Sequence, residues 1–193
     1  MKITLFCALF VSIVHPVFAQ DGIELSPEDF PRAPATEPAN ALATFEVAPG
    51  FTLSFAAHEP EVTDPIAMSF DEKGRAYVVE MIGYSERRED AVCRVRLLTD
   101  ADHDGVFETS IVFKDKLKWP SAIICYDGGV FVGATPDLYY FKDTDGDGIC
   151  DEAKTVFTGF GGGNDIRLNM QALFNSLRWG PDNRIWGATA GNG

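Results

Sequence analysis

Met68-Ser-Phe-Asp-Glu-Lys-Gly-Arg-Ala-Tyr-Val-Val79 reads as a strand, a tight polar turn and a second strand. The pattern recurs as Ala122-Ile-Ile-Cys-Tyr-Asp-Gly-Gly-Val-Phe-Val-Gly133 and again as Leu177-Arg-Trp-Gly-Pro-Asp-Asn-Arg-Ile-Trp-Gly187. Arg75, Gly129 and Arg184 are the matching positions, 54 and 55 residues apart, and Tyr77, Phe131 and Trp186 place an aromatic ring two residues further on. Between the hairpins lie short apolar strands, Val95-Arg-Leu-Leu98 and Leu138-Tyr-Tyr-Phe141. Each runs into an acidic loop and then into another apolar strand, Ser110-Ile-Val-Phe113 or Thr155-Val-Phe157. Four short strands at a period near 50 residues are what one blade of a β-propeller requires, because a lone four-stranded sheet leaves both faces needing cover and radial stacking supplies it. The expected fold is therefore all-β, a β-propeller of which residues 45–193 are the N-terminal portion, about two and a half blades of six or more. A β-sandwich with similar hairpins is the alternative.

The two acidic loops share one spacing. Asp143, Asp145, Asp147 and Asp151 occupy positions 1, 3, 5 and 9 of one, with Gly148 at position 6. Asp100, Asp102, Asp104 and Glu108 repeat it with Gly105. Alternate carboxylates around a glycine turn form an oxygen cage, and the carbonyl of Val106 or Ile149 at position 7 adds a donor, which suits Ca²⁺. The bidentate Glu of a helix-flanked calcium loop is missing at position 12, which is Ile111 in one loop and Lys154 in the other. Structural rather than signalling cation sites are expected, with solvated Asp-Gly turns as the alternative. The Asp143 loop reads as the stronger, since His103 stands at position 4 of the other. Carboxylates so crowded are expected to raise one another's pKa.

The chain has 193 residues with a formal charge of −13, from 16 basic and 29 acidic side chains. That balance excludes a nucleic-acid partner, which demands basic patches, and leaves membrane association only to segments outside this chain. Residues 1–19 read as a secretory signal: Lys2, an apolar run from Ile3 to Val14, and a small-residue cleavage site at Val17-Phe18-Ala19. Export across the inner membrane to the periplasm or cell surface follows, with a mature charge of −14 (15 basic and 29 acidic residues). Residues 20–44, with Pro27, Pro31, Pro34 and Pro38 among Ala and acidic residues, read as an extended leader. Cys93, Cys125 and Cys150 remain, as one disulfide and a thiol or as three thiols, and none sits in a Cys-x-x-Cys pattern. After the glycine-rich connector at residues 158–165, Asn169, Gln171 and Asn175 precede an apolar strand, where they could line a polar pocket or cap turns.

Val47-Ala-Pro-Gly-Phe51, Asp64-Pro-Ile-Ala67, Val78-Val-Glu-Met81, the Asp-x-Asp-Gly-Asp-Gly loop and Asn175-Ser-Leu-Arg-Trp-Gly-Pro-Asp182 resemble one family closely. It is the membrane-bound dehydrogenase domain of planctomycete-type exported proteins, many of which end in a haem c module. More distantly, the chain is similar to the soluble quinoprotein glucose (aldose) and sorbosone dehydrogenases. The resemblance, from about residue 45 onward, implies a calcium-binding propeller that oxidises a small sugar or alcohol with pyrroloquinoline quinone, with haem c only in a downstream module. It places Gln171 near the quinone, with Asn169 beside it and Glu80 as a rim carboxylate just beyond its strand. It transfers no catalytic base, because neither His58 nor His103, the only mature histidines, occupies a matching place. A non-catalytic propeller binding polysaccharide or protein partners is the competing expectation.

Overall fold

The computed structural model describes Ser26, Phe30, residues 34–161 and residues 168–189. Residues 1–19, which read as a secretory signal, and about half of the leader at residues 20–44 lie outside these described residues. The chain divides into Met1–Thr36 and Glu37–Gly193, and the second unit carries all the strands. Its first element is a four-residue helix, α1 (Pro38–Ala41), followed by a 3-10 turn at Leu42–Thr44, so this part of the leader is helical rather than extended. Pro38 at the first helical position explains the start, since its fixed φ suits a helix and its missing N–H would have no partner there. No other α-helix occurs among the described residues, and none is long and apolar enough to cross a membrane.

Ten strands follow among the described residues, each pairing antiparallel with a neighbour in sequence. The first sheet is β1 (Pro65–Phe70), β2 (Ala76–Glu80), β3 (Cys93–Thr99) and β4 (Thr109–Leu117). The second is β5 (Ala122–Tyr126), β6 (Gly129–Ala134), β7 (Asp137–Lys142) and β8 (Glu152–Phe157). The third, among the described residues, is the hairpin of β9 (Asn175–Trp179) and β10 (Ile185–Ala188). Each hairpin expected from the repeat is the first strand pair of a sheet, and each acidic loop joins the third strand to the fourth.

Local chemistry sets the turns. Asp127 and Gly128 link β5 to β6 with φ of 50° and 72°, the two positive values a two-residue hairpin needs and that Asp-Gly tolerates. In the longer β1–β2 turn Asp71 Oδ1 accepts from Lys73 N and Arg75 N, at 2.9 Å each, and replaces the missing backbone partners.

The sheets face one another. Tyr77, Val79, Val95, Leu97 and Phe113 of the first pack with Ile123, Val130, Val132 and Phe141 of the second. The first strands adjoin, β1 against β5 and β5 against β9. A second cluster, Ala122, Ile124, Leu138, Phe174 and Leu177, joins the second sheet to the third. On the outer face of the first sheet Val62 and Ala57, from the segment before β1, cover Ala76, Val78 and Leu98.

Gly133 in β6 is required by this packing, because a Cβ there would meet the Phe174 ring and, at 3.3 Å, the Ala122 methyl. Gly133→Ala is expected to cost about 1–3 kcal/mol through overpacking, read as a lower urea midpoint at unchanged m-value. An unaltered midpoint would mean that Phe174 is not wedged there.

Candidate functional site

The two acidic loops share one set of backbone N–H to carboxylate bonds. Asp143 Oδ1 accepts from Gly146 N at 2.7 Å and its Oδ2 from Gly148 N at 2.9 Å. Asp100 Oδ1 accepts from His103 N at 2.7 Å and its Oδ2 from Gly105 N at 2.9 Å. Asp145 accepts from Asp147 N as Asp102 does from Asp104 N, and Asp147 accepts from Ile149 N as Asp104 does from Val106 N. At the ninth position Asp151 accepts from Thr144 N at 3.1 Å, and Glu108 from Ala101 N at 2.7 Å. These bonds curl the chain inward and point carboxylate oxygens at a common centre. His103 stands at φ 63° where Gly146 has 88°, a left-handed position that disfavours a side chain and marks the less relaxed of the two loops.

Each cluster has ligand oxygens within 4.8 Å of one another: Asp100, Asp102, Asp104 and Glu108 in one loop, and Asp143, Asp145 and Asp151 in the other. Asp147 lies outside the second group, so the loop that reads as stronger in sequence gathers three carboxylates and the other gathers four. An all-oxygen, anionic donor set of this size fits a hard divalent cation. The expectation of raised carboxyl pKa values is corrected at Asp143. Although desolvation acts upward there, hydrogen bonds from the Gly146 and Gly148 N–H groups hold its carboxyl below its ordinary value. Donors to a carboxylate favour its charged form, and here they outweigh the desolvation.

The loops also hold the sheets together. Cys150 N, the eighth residue of its loop, donates to Phe113 O in β4 of the first sheet at 2.8 Å. Gly148 sits against Ile111 and Leu97 of the same sheet, so close that an added Cβ would lie 3.0 Å from Ile111 Cδ1. An ion in this loop would thus brace a seam between sheets as well as a turn.

The residues that the resemblance places around a quinone do not converge. Gln171 is exposed on a 3-10 turn (Met170–Ala172) whose cap is Asn169, and Asn169 Oδ1 accepts from Gln171 N at 3.0 Å. The turn is pinned to the second sheet by Thr135 Oγ1, which accepts from Phe174 N at 2.7 Å. Glu80 corrects its expectation most clearly. It is the last residue of β2 and fully buried, neither beyond the strand nor on a rim. Arg94 and Arg96 pair with its carboxylate, and Thr63 N donates to Oε1 at 2.6 Å, so both oxygens are engaged. This is a structural ion-pair network that the sequence reading missed.

A different cleft does form. A groove of about 230 Å³ opens between β1, β5 and β9, lined by Met68, Ser121, Asn175 and Arg178 among others. Of the amides noted in the sequence, Asn175 reaches this groove and Gln171 and Asn169 do not. The three cysteines are unbridged, and burial pushes each thiol above its ordinary value, which leaves them protonated and poor nucleophiles at neutral pH.

Residues 37–193 match the family described as "Domain of unknown function (DUF7133)". The chain belongs to that family. No curated protein and no solved structure matches the chain. The DUF7133 match covers all ten strands and both acidic loops, so the repeat and its loops lie wholly within the family's domain.

Proposed function

We propose that this DUF7133 chain is a calcium-binding β-propeller portion of an exported, quinoprotein-like sugar or alcohol dehydrogenase, in which it supplies scaffold and cation sites rather than the catalytic base. The observation that carries the reading is the repetition of one carboxylate-lined loop, with the same backbone N–H to carboxylate bonds, at the same turn of two successive four-stranded sheets. Sheets stacked face to face with their first strands adjoining are the arrangement of neighbouring propeller blades. The calcium ligands would be Asp100, Asp102, Asp104 and Glu108 in one loop and Asp143, Asp145 and Asp151 in the other. There the ion supplies positive charge that offsets carboxylate repulsion. Pyrroloquinoline quinone, when bound, would supply the oxidising group. Residues of this chain would bind and orient it, and the groove at the first strands, with the Asn175 amide and the Arg178 guanidinium, is chemically suited to an anionic quinone.

A second reading, a propeller that binds polysaccharide without catalysis, is favoured by the exposed rings of Tyr126 and Trp179, whose centroids lie 5.9 Å apart. Titration of the intact protein with pyrroloquinoline quinone separates the two. Arg178→Ala is expected to weaken binding at least tenfold, the worth of one charge-assisted hydrogen bond of about 1.5 kcal/mol or more. Gln171→Ala, on an exposed turn outside the groove, is the test of the resemblance itself: equal affinity removes Gln171 from the site. Saturable binding of an oligosaccharide with no quinone binding would sink the dehydrogenase.

A further inference from the structure

At the end of the sheets opposite the acidic loops, a cavity of about 170 Å³ opens between the first sheet and the second. Arg88 of the β2–β3 connection, Lys116 and Lys118 around the end of β4, and Asp137 and Tyr139 of β7 line it. In a chain of net charge −13, a wall with three cations and one carboxylate runs against the average. That carboxylate is already engaged, because the Tyr139 hydroxyl donates to Asp137 Oδ2 at 2.8 Å.

The backbone places Lys116 there by an irregularity. Between the Val95–Lys114 and Cys93–Leu117 pairs, β4 has two residues, Asp115 and Lys116, where β3 has only Arg94, and the extra residue makes a bulge. Lys116 stands at φ 58°, a left-handed position that disfavours a side chain. Bulges re-aim side chains, and this one turns to the cavity an ammonium with no acidic partner among the described residues.

Arg88 is fixed in place with donors to spare. Its side chain is 22% exposed, and its Nη2 donates to Thr135 O of the second sheet at 2.9 Å. Its Nε is buried and finds no acceptor among the described residues. A guanidinium carries five N–H donors, so much of its capacity is unused.

The chain itself shows what suits these cations. The Glu89 carboxylate, 70% exposed, accepts from Arg88 Nη1 at 2.7 Å and from Lys118 Nζ at 2.5 Å. A planar carboxylate thus bridges a guanidinium and an ammonium, and at the surface such a contact is weak enough to exchange. Setting Glu89 and Asp137 against Arg88, Lys116 and Lys118 leaves one positive charge, which matches one carboxylate better than a dianion.

We propose that this cavity binds a single carboxylate group through Arg88 and Lys116, with Glu89 as an internal competitor that occupies Arg88 and Lys118 until the ligand arrives. It shares no lining residue with the groove at β1, β5 and β9, so the site stands whether or not that groove takes a quinone. A free small acid and an acidic sugar unit both present this planar, singly charged group.

The test is calorimetric titration of the intact protein at pH 7 and constant ionic strength. The probes are acetate, galacturonate, an oligogalacturonate, sulfate and, as the neutral control, galactose. Galacturonate is expected to bind with Kd on the order of 1 mM, and galactose to give no heat of binding. Lys116→Ala, at an exposed position, should weaken galacturonate about fivefold, and Arg88→Lys, which keeps the charge without the fork, about tenfold. Glu89→Gln carries the most weight: removing a competitor should tighten binding about threefold or more, whereas a purely structural residue would leave it equal or weaker. Acetate as tight as galacturonate assigns the site to free small acids, and an oligogalacturonate at least about tenfold tighter than its monomer assigns it to an acidic polysaccharide. Sulfate as tight as galacturonate would overturn the carboxylate. Wild-type affinity in Lys116→Ala, or no heat from either acid up to about 50 mM in wild type and Glu89→Gln alike, would overturn the site.

Discussion

Glu80→Ala is expected to be among the most destabilising single substitutions in the chain. The carboxylate is fully buried, and its removal leaves the Arg94 and Arg96 guanidinium groups facing an empty site, with Thr63 N deprived of its acceptor. Breaking a buried ion pair by deleting one partner costs about 3–5 kcal/mol, because the remaining charge stays desolvated. Arg94 and Arg96 retain 27% and 14% side-chain exposure, which gives the freed cations partial access to water and places the loss towards the lower end of that range. At roughly 2–4 °C per kcal/mol for a domain of this size, the thermal midpoint should fall on the order of 10 °C. Glu80→Gln keeps the volume and an acceptor for Thr63 N but removes the charge, so it should fall between wild type and Glu80→Ala. A midpoint within about 2 °C of wild type for Glu80→Ala would show that the arginines find other partners at little cost.

Chelation should produce a loss of similar size. A ligand that binds only the folded chain stabilises it by RT ln(1 + [L]/Kd), about 2.7 kcal/mol per site at a hundredfold excess over Kd, or roughly 5 kcal/mol for two independent sites. Two ions would bring the formal charge of the chain from −13 to −9. Chelator should lower the midpoint and millimolar Ca²⁺ restore it, more effectively than Mg²⁺, which demands a tighter octahedron and gives up its water reluctantly. Asp102→Ala and Asp145→Ala should each remove part of the response. The structure, with four gathered carboxylates around Asp102 and three around Asp145, makes Asp102→Ala the larger loss. The pH dependence has a definite sign. The Asp143 carboxyl is held below its ordinary value, so its contribution is present above the unfolded pKa of about 3.9 and is lost as pH falls through the lower folded value. Bound cation would move that loss further towards acid. A midpoint indifferent to calcium from pH 5 to 7 would reduce both loops to acidic turns.

The hairpins and acidic loops were legible because their determinants are local. Asp127-Gly128 can adopt a two-residue turn with little help, and three aspartates at alternate positions before a glycine curl around their own N–H groups wherever they occur. Glu80 was misplaced because its partners are set by register. Arg94 faces it across the β2–β3 pair, fourteen residues away, and nothing in the spacing announces that pairing before the strands are aligned. The same limit applied to the amides. Asn175 and Gln171 lie four residues apart in one motif, yet Asn175 begins β9 beside the groove and Gln171 sits on the turn before it. The helical start at Pro38–Ala41 was hidden by its composition, since proline reads as a breaker except at the first position of a helix. Which carboxylates gather depends on side-chain directions within each cage, and the spacing, identical in both loops, could not rank them.

Because every strand among the described residues pairs with the strand next to it in sequence, neither four-stranded sheet waits for a distant part of the chain before it can form. The longest gap within the two complete sheets is the β2–β3 connection, residues 81–92, and the entropy of closing a loop of that length is small beside what a long-range crossover would demand. Low contact order of this kind favours fast folding, and it favours folding in order. The first sheet can close on its own hairpins while the second is still being delivered, and the second then finds a finished surface to dock against. A chain built this way emerges from a ribosome or a translocation pore as a succession of small, separately completed folding steps, with little unpaired backbone exposed at any moment.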